Sequence, residues 1–191
     1  MLRARATLAS AVAGGLVAGL LGGGLLVAGL VAPAGAAEAT YDDPADATAS
    51  LTDIRRVDIA HTTTKLRVVV GFTDLRRRSE AGPSGLTILI DTDKERRGAE
   101  LGLSTGLQKG TDYQLMRIRR GRPVGEPLTC PHRVRLGFAG DRLTFDVSRT
   151  CLEEPARVRL RVKMRDEFDS SHPVVDWLRR PNSWTRWVLS S

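Results

Sequence analysis

Apolar and polar residues alternate with a period of two along most of the chain after residue 52, a pattern typical of strands with one buried face. Residues 57–60 and 66–72 show this pattern on the two sides of a threonine-rich turn. Residues 134–138 and 143–147 show it again around a Gly-Asp turn. Each pair of segments predicts an antiparallel hairpin.

The patterns of three further segments also predict strands. Residues 86–91 form a compact apolar run typical of a central strand, residues 113–118 are partly apolar on both faces, and residues 157–163 alternate most regularly. A last short strand is expected around residues 184–189, whereas the glycine-containing stretch 92–111 predicts a loop. About seven to nine short strands without a long helix predict an all-β fold, an antiparallel β-sandwich.

The first 36 residues predict a secretory signal peptide. They contain no acidic residue, and Arg3 and Arg5 precede an apolar run over residues 6–32. Ala34 and Ala36 then place small side chains where a signal peptidase requires them, so cleavage is expected after Ala36. The alternative is a retained N-terminal anchor, because an apolar run of this length is long enough to cross a bilayer.

The mature chain is predicted to consist of a flexible leader over residues 37–52 and a single domain over residues 53–191. We expect it to be secreted or held at the cell envelope, and not to be an integral membrane protein once the signal peptide is cleaved. Cys130 and Cys151 flank the hairpin at residues 134–147, and export favours a disulfide between them. Closing this loop would contribute about 3 kcal/mol to stability.

A resemblance to known domains lies in residues 86–115, LTILIDTDKERRGAELGLSTGLQKGTDYQL. This segment reads as a strand ending in Asp-Thr-Asp, a glycine-bearing loop, and Gly-Thr-Asp-Tyr at the start of the next strand. It resembles secreted β-sandwich domains related to family 9 carbohydrate-binding modules and the DOMON superfamily, whose first hairpin the stretch DIRRVDIAH…KLRVVVGFTDL also resembles. The chain is similar, too, to small exported proteins of high-GC bacteria, which implies no activity.

The resemblance implies a jelly-roll-like, non-catalytic domain with, in some members, a structural calcium ion or a sugar platform. Asp91, Asp93 and Asp112 match the acidic positions of the motif and are therefore candidate calcium ligands. The alternative is turn chemistry, in which Asp91 and Asp93 start the loop as Asx-turns and Asp112 caps the returning strand. The motif tyrosine, Tyr113, is expected to pack in the core.

Aromatic and cationic residues near the C-terminus are the candidate ligand-binding groups. All three tryptophans, Trp177, Trp184 and Trp187, lie in the last 15 residues, outside the resemblance, and are candidates for stacking on a glycan. The odd spacing of Trp184 and Trp187 would place them on opposite faces of a regular strand. The alternative is that these rings close the core and cover a sheet edge.

The formal net charge of +7 suggests an acidic partner. Arg157, Arg159 and Arg161, followed by Lys163, project from one face of the predicted strand, and Arg133 and Arg135 would extend that face if their strand were adjacent and in phase. Such a face would bind an acidic cell-wall polymer. The alternative is a solvated face whose arginines pair with local acids. Export and the lack of interleaved aromatic residues argue against nucleic acid.

No catalytic motif is present: the chain has no Gly-x-Ser-x-Gly, no His-Glu-x-x-His and no glycine-rich phosphate loop. We therefore expect a non-catalytic protein, with a glycan-active hydrolase as the enzymatic alternative because 22 acidic residues allow a carboxylate pair. The sequence favours a cell-envelope or extracellular binding module for a glycan or an acidic polymer. The nearest rival is a structural or protein-interaction domain on the cell surface without a small ligand.

Overall fold

A computed structural model describes residues 37–79, 82–167 and 172–191, and these residues form two antiparallel sheets without an α-helix. The predicted signal peptide lies outside the described residues. Within the described ranges, no helix has the length and apolar character needed to span a membrane.

The first sheet has five strands in the order β1-β2-β3-β9-β8, and all neighbours in it are antiparallel. Its strands are β1 (Ala37–Asp42), β2 (Ile54–His61), β3 (Lys65–Phe72), β8 (His132–Gly137) and β9 (Arg142–Ser148). Both predicted hairpins, β2–β3 and β8–β9, belong to this sheet and are confirmed.

The second sheet follows the order β11-β10-β4-β5-β6-β7, with the two-residue strand β12 also paired to β10. Its strands are β4 (Ser84–Asp91), β5 (Leu101–Gly106), β6 (Tyr113–Arg119), β7 (Arg122–Val124), β10 (Arg157–Asp166), β11 (Val174–Trp177) and β12 (Val188–Leu189). The apolar run at residues 86–91 lies inside this sheet, between β5 and β10, as predicted.

Alternate side chains of the two sheets form one hydrophobic core, because β-strands direct successive residues to opposite faces. Strand β3 shows this most clearly, with Leu66, Val68 and Val70 fully buried from the first sheet. From the second sheet, Leu160 and Val162 of β10 are buried in the same cluster. The predicted antiparallel β-sandwich is therefore confirmed.

Three strands lie where the sequence predicted irregular structure, and one of them is β11, in the stretch after residue 166 that the sequence predicted as a loop. Residues 37–42, predicted as part of a flexible leader, instead pair with β2 as strand β1 and bury Tyr41. The predicted loop at residues 92–111 contains β5, in which Gly102 brings the backbone close to its neighbours: a Cβ there would lie 3.0 Å from Ile118 Cδ1. Small residues thus weakened the patterns of β1 and β5 without preventing strand pairing.

The cysteine prediction is confirmed, and the prediction for Tyr113 is wrong. Cys130 and Cys151 form a disulfide with a Cα–Cα distance of 5.6 Å, across the open end of the β8–β9 hairpin. Tyr113 is 37% exposed, and its ring lies edge-on to His132 with the ring centroids 5.7 Å apart. This edge-on contact is a favourable aromatic arrangement, and it stabilises the Tyr113 ring at the surface.

Candidate functional site

The outer face of β10 carries the row of cations that the sequence predicted. Its residues alternate between buried and partly exposed positions, so the apolar side chains enter the core and Arg159, Arg161 and Lys163 point away from it. Strand β4 lies beside β10 and places Asp91 opposite Arg159 and Leu89 opposite Arg161 on the same face.

The three tryptophans reach this face from the chain that follows β10. Trp177 lies on β11, directly opposite Lys163 in the antiparallel register. Residues 178–187, which we call the return segment, carry the other two rings along the edge of β10. Thr185 fixes the middle of this segment, because its backbone N–H donates to the Leu160 carbonyl at 2.8 Å and its Oγ1 accepts from the Leu160 N–H at 2.8 Å.

The return segment is also tied to the other sheet. The backbone N–H of Arg179 donates to a carboxylate oxygen of Asp43, just after β1. The backbone N–H of Arg186 donates to the hydroxyl of Tyr41 at 3.1 Å. Contacts near both ends therefore hold the segment in place, and this fixes the two rings it carries.

Cations and tryptophan rings alternate across this face in an arrangement that we call the cation–tryptophan ladder. Its members are Arg159, Arg161, Lys163, Trp177, Trp184 and Trp187. The Arg159 Cζ lies 4.6 Å from the ring centroid of Trp187 and 5.1 Å from that of Trp184. The Arg161 Cζ lies 4.4 Å from the centroid of Trp184, and the Lys163 Nζ lies 5.2 Å from that of Trp177. All four distances are within the range of favourable cation–π contacts.

The structure thus unites two candidate sets that the sequence analysis treated separately. The spacing of Trp184 and Trp187 predicted that the two rings lie on opposite faces. They do not, because both rings contact Arg159. The rule of alternation applies to a regular strand, and the return segment between β11 and β12 is irregular.

Arg159 has a buried carboxylate as its partner. Asp91 is 0% exposed, and its Oδ2 accepts from Arg159 Nε at 2.8 Å and from Arg159 Nη2 at 2.7 Å. The charge of this guanidinium is therefore neutralised from within the sheet. Its role in the ladder is to hold Trp184 and Trp187 in position.

Arg161 differs from Arg159 because no carboxylate accompanies it in the part of the chain that the structure describes. Its Nε is buried and makes no hydrogen bond there. Burial, and secondly the positive charge of Arg159, lowers the pKa of Arg161 below its ordinary value. A guanidinium nevertheless stays protonated at neutral pH. An anion bound beside Arg161 would offset both the cost of its burial and the repulsion from Arg159.

The acidic turn after β4 has the geometry of turn chemistry. Asp91 Oδ1 accepts the Asp93 N–H at 3.3 Å, and Asp93 Oδ1 accepts the Glu95 N–H at 2.9 Å, which are Asx-turn contacts. Asp112 is exposed before β6. Asp91, Asp93 and Asp112 do not form a group of neighbouring ligand atoms among the described residues, and Asp91 is occupied by Arg159. The calcium expected at these three residues stays a prediction.

Arg133 and Arg135 do not extend the ladder. Arg133 and Arg135 lie on β8 at the edge of the first sheet, whereas β10 belongs to the second sheet. Arg135 instead pairs with Asp146 at 2.9 Å. Arg157 lies on β10, two residues before Arg159, and makes no ion pair within the described ranges.

No family model, curated protein or solved structure matches the chain. The likeness to family 9 carbohydrate-binding modules and DOMON domains therefore stays a prediction.

Proposed function

We propose that this protein is an exported, non-catalytic binding module whose cation–tryptophan ladder binds an acidic polymer of the cell envelope. The observation that carries the proposal is the state of Arg161. Its guanidinium is partly buried, is held against Trp184 at 4.4 Å, and has no acidic partner among the described residues. A positioned cation of this kind gives an anion a charge-assisted contact at a small cost in side-chain entropy.

The ladder favours an anionic ligand over a neutral glycan. A neutral sugar binds mainly by stacking on free ring faces, but Trp184 already contacts two guanidinium groups. Trp177 and Trp187 each contact one cation. Because the rings are engaged in this way, they position charge and leave less aromatic surface for a pyranose.

The linear arrangement of cations favours a polymer over a single anion. Outward-facing residues on one strand lie roughly 7 Å apart, so Arg157, Arg161 and Lys163 form a row along β10. Arg179, Arg180 and Arg186 add exposed cations on the adjoining return segment. A chain with one negative charge per repeat can contact several of these cations at once, which raises its overall affinity.

We expect Arg161→Gln to weaken binding to a polyuronate and to a poly(glycerol phosphate) by about tenfold, because it removes one charge-assisted contact. Arg133→Gln is the matched control: it removes the same charge from an exposed position on the other sheet. Isothermal titration calorimetry with both polymers measures the two affinities, and thermal melts check that both variants fold.

Three other results of these titrations would contradict the proposed site. Equal weakening by Arg161→Gln and Arg133→Gln would mean that only net charge matters. Tight binding to a neutral glycan that persists at high salt would favour sugar stacking. An absence of binding to all polymers would favour the structural or protein-interaction role.

A further inference from the structure

Three carboxylates from two distant parts of the chain meet at the β11 edge of the second sheet. Asp43 and Asp46 lie in the connection between β1 and β2, and Asp176 lies on β11. One oxygen from each can be chosen so that the three atoms all lie within 4.8 Å of one another. The cluster therefore joins the first sheet to the edge of the second.

Two of these carboxylates are buried without a compensating cation. Asp43 is 5% exposed and Asp176 is 2% exposed. No lysine or arginine in the described ranges forms an ion pair with Asp43, Asp46 or Asp176, and the nearby Arg55 pairs with Asp53 at 3.2 Å. Neighbouring buried carboxylates repel one another, so this arrangement is unfavourable unless a proton or a cation is bound.

One buried oxygen of the cluster has no hydrogen-bond partner among the described residues. Asp43 accepts the Arg179 N–H through Oδ1, whereas its buried Oδ2 accepts no hydrogen bond from them. Asp176 accepts the Ile54 N–H through Oδ2 at 2.7 Å. Backbone donors thus hold both carboxylates in fixed orientations. A buried acceptor without a partner is rare, and a bound cation would satisfy it.

We propose that Asp43, Asp46 and Asp176 bind one calcium ion. Two oxygens bound to one calcium ion, each about 2.4 Å from it, are at most about twice that distance apart, and the three carboxylate oxygens lie within that limit. The donors are all oxygens, and such a set suits a hard cation. Calcium also takes backbone carbonyls and water as ligands, and Asp46 is open to solvent.

The ionisation of the cluster supports this assignment. Burial raises the pKa of Asp43 to about 6, and the neighbouring Asp46 and Asp53 act in the same direction. Burial likewise raises the pKa of Asp176 to about 6, with added repulsion from the other carboxylates of the cluster. A divalent cation removes this unfavourable energy because it stabilises the charged forms.

The test compares calcium binding and thermal stability in the purified protein. After treatment with a chelator and dialysis, titration calorimetry should show one calcium ion per chain. The melting temperature should rise by about 5 °C or more when calcium exceeds its Kd by about 100-fold. Magnesium at the same concentration should give a smaller rise, because it requires a tighter octahedral site.

Matched variants locate the ion. Asp46→Asn changes an exposed ligand and should weaken calcium binding by about tenfold or more while the protein still folds. Asp93→Asn, in the acidic turn after β4, should leave calcium affinity unchanged. Loss of binding in Asp93→Asn with full binding in Asp46→Asn would overturn the proposed location. An absence of calcium binding in the wild-type protein, or an equal effect of magnesium, would overturn the assignment to calcium.

Discussion

Asp91→Ala is expected to lower the free energy of unfolding by about 2–3 kcal/mol. The carboxylate is 0% exposed and accepts two hydrogen bonds from Arg159, whose side chain is 27% exposed. Its removal leaves that guanidinium between Trp184 and Trp187 without its counterion. Because Arg159 still reaches some solvent, the expected loss lies below that for a fully buried pair.

Urea denaturation of a double-mutant cycle isolates the interaction between the two side chains. Asp91→Asn and Arg159→Gln should each destabilise the protein, and the double variant should lose less than the sum of the two, by about 1 kcal/mol or more. Tryptophan fluorescence provides a structural check, because the emission should shift when Arg159 no longer holds the rings. Strictly additive losses would show that Asp91 and Arg159 do not stabilise each other.

The second large effect is expected from the disulfide. Replacing Cys130 and Cys151 together by serine should lower the free energy of unfolding by about 3 kcal/mol, because the unfolded chain regains the freedom of the 21-residue loop. Among the described residues, strand β8 pairs only with β9 in the first sheet, and the disulfide ties the chain just before β8 to the residues just after β9. Chemical denaturation with and without a reductant measures the change.

Reductant provides the matched control for the cysteine variant. The wild-type protein in reductant should unfold at the denaturant concentration of the double serine variant, and reductant should have no effect on that variant. Intact mass after alkylation should show no labelled thiol before reduction. Two labelled thiols before reduction would contradict the disulfide.

Local patterns predicted the fold well where one strand face is buried and the other is polar. The hairpins β2–β3 and β8–β9, the inner strand β4 and the long strand β10 all follow from alternation. Strands β1 and β5 were missed because small residues and glycine weaken the hydrophobic pattern. Pairing with a neighbouring strand, which a local pattern does not show, decides the structure at these two positions.

The candidate ligand-binding residues were predicted, but their arrangement was not. The sequence indicates both the arginine row and the tryptophans, yet the contact of Arg159 with Trp184 and Trp187 depends on the path of the irregular return segment. The pairing of Arg159 with Asp91 depends on the register between β10 and β4. Neither path nor register is encoded in the spacing of these residues.

The acidic cluster shows the same limit more strongly. Asp43 and Asp176 lie 133 positions apart in the sequence, and the fold brings them together by placing β11 near the loop after β1. The spacing along the chain indicated Asp91, Asp93 and Asp112 as candidate ligands instead. A cluster assembled from two sheets does not show in a local sequence pattern.

The binding of anions by the ladder is tested most directly by a titration with a charged polymer and its neutral ester. The purified protein is titrated with a polyuronate and with its fully methyl-esterified form, at low and at high salt. We expect the protein to bind the charged polymer, with an affinity that falls steeply as salt screens the ladder cations. We expect little binding to the neutral ester. Equal binding to both polymers, or binding that is unaffected by salt, would contradict an anion-binding ladder.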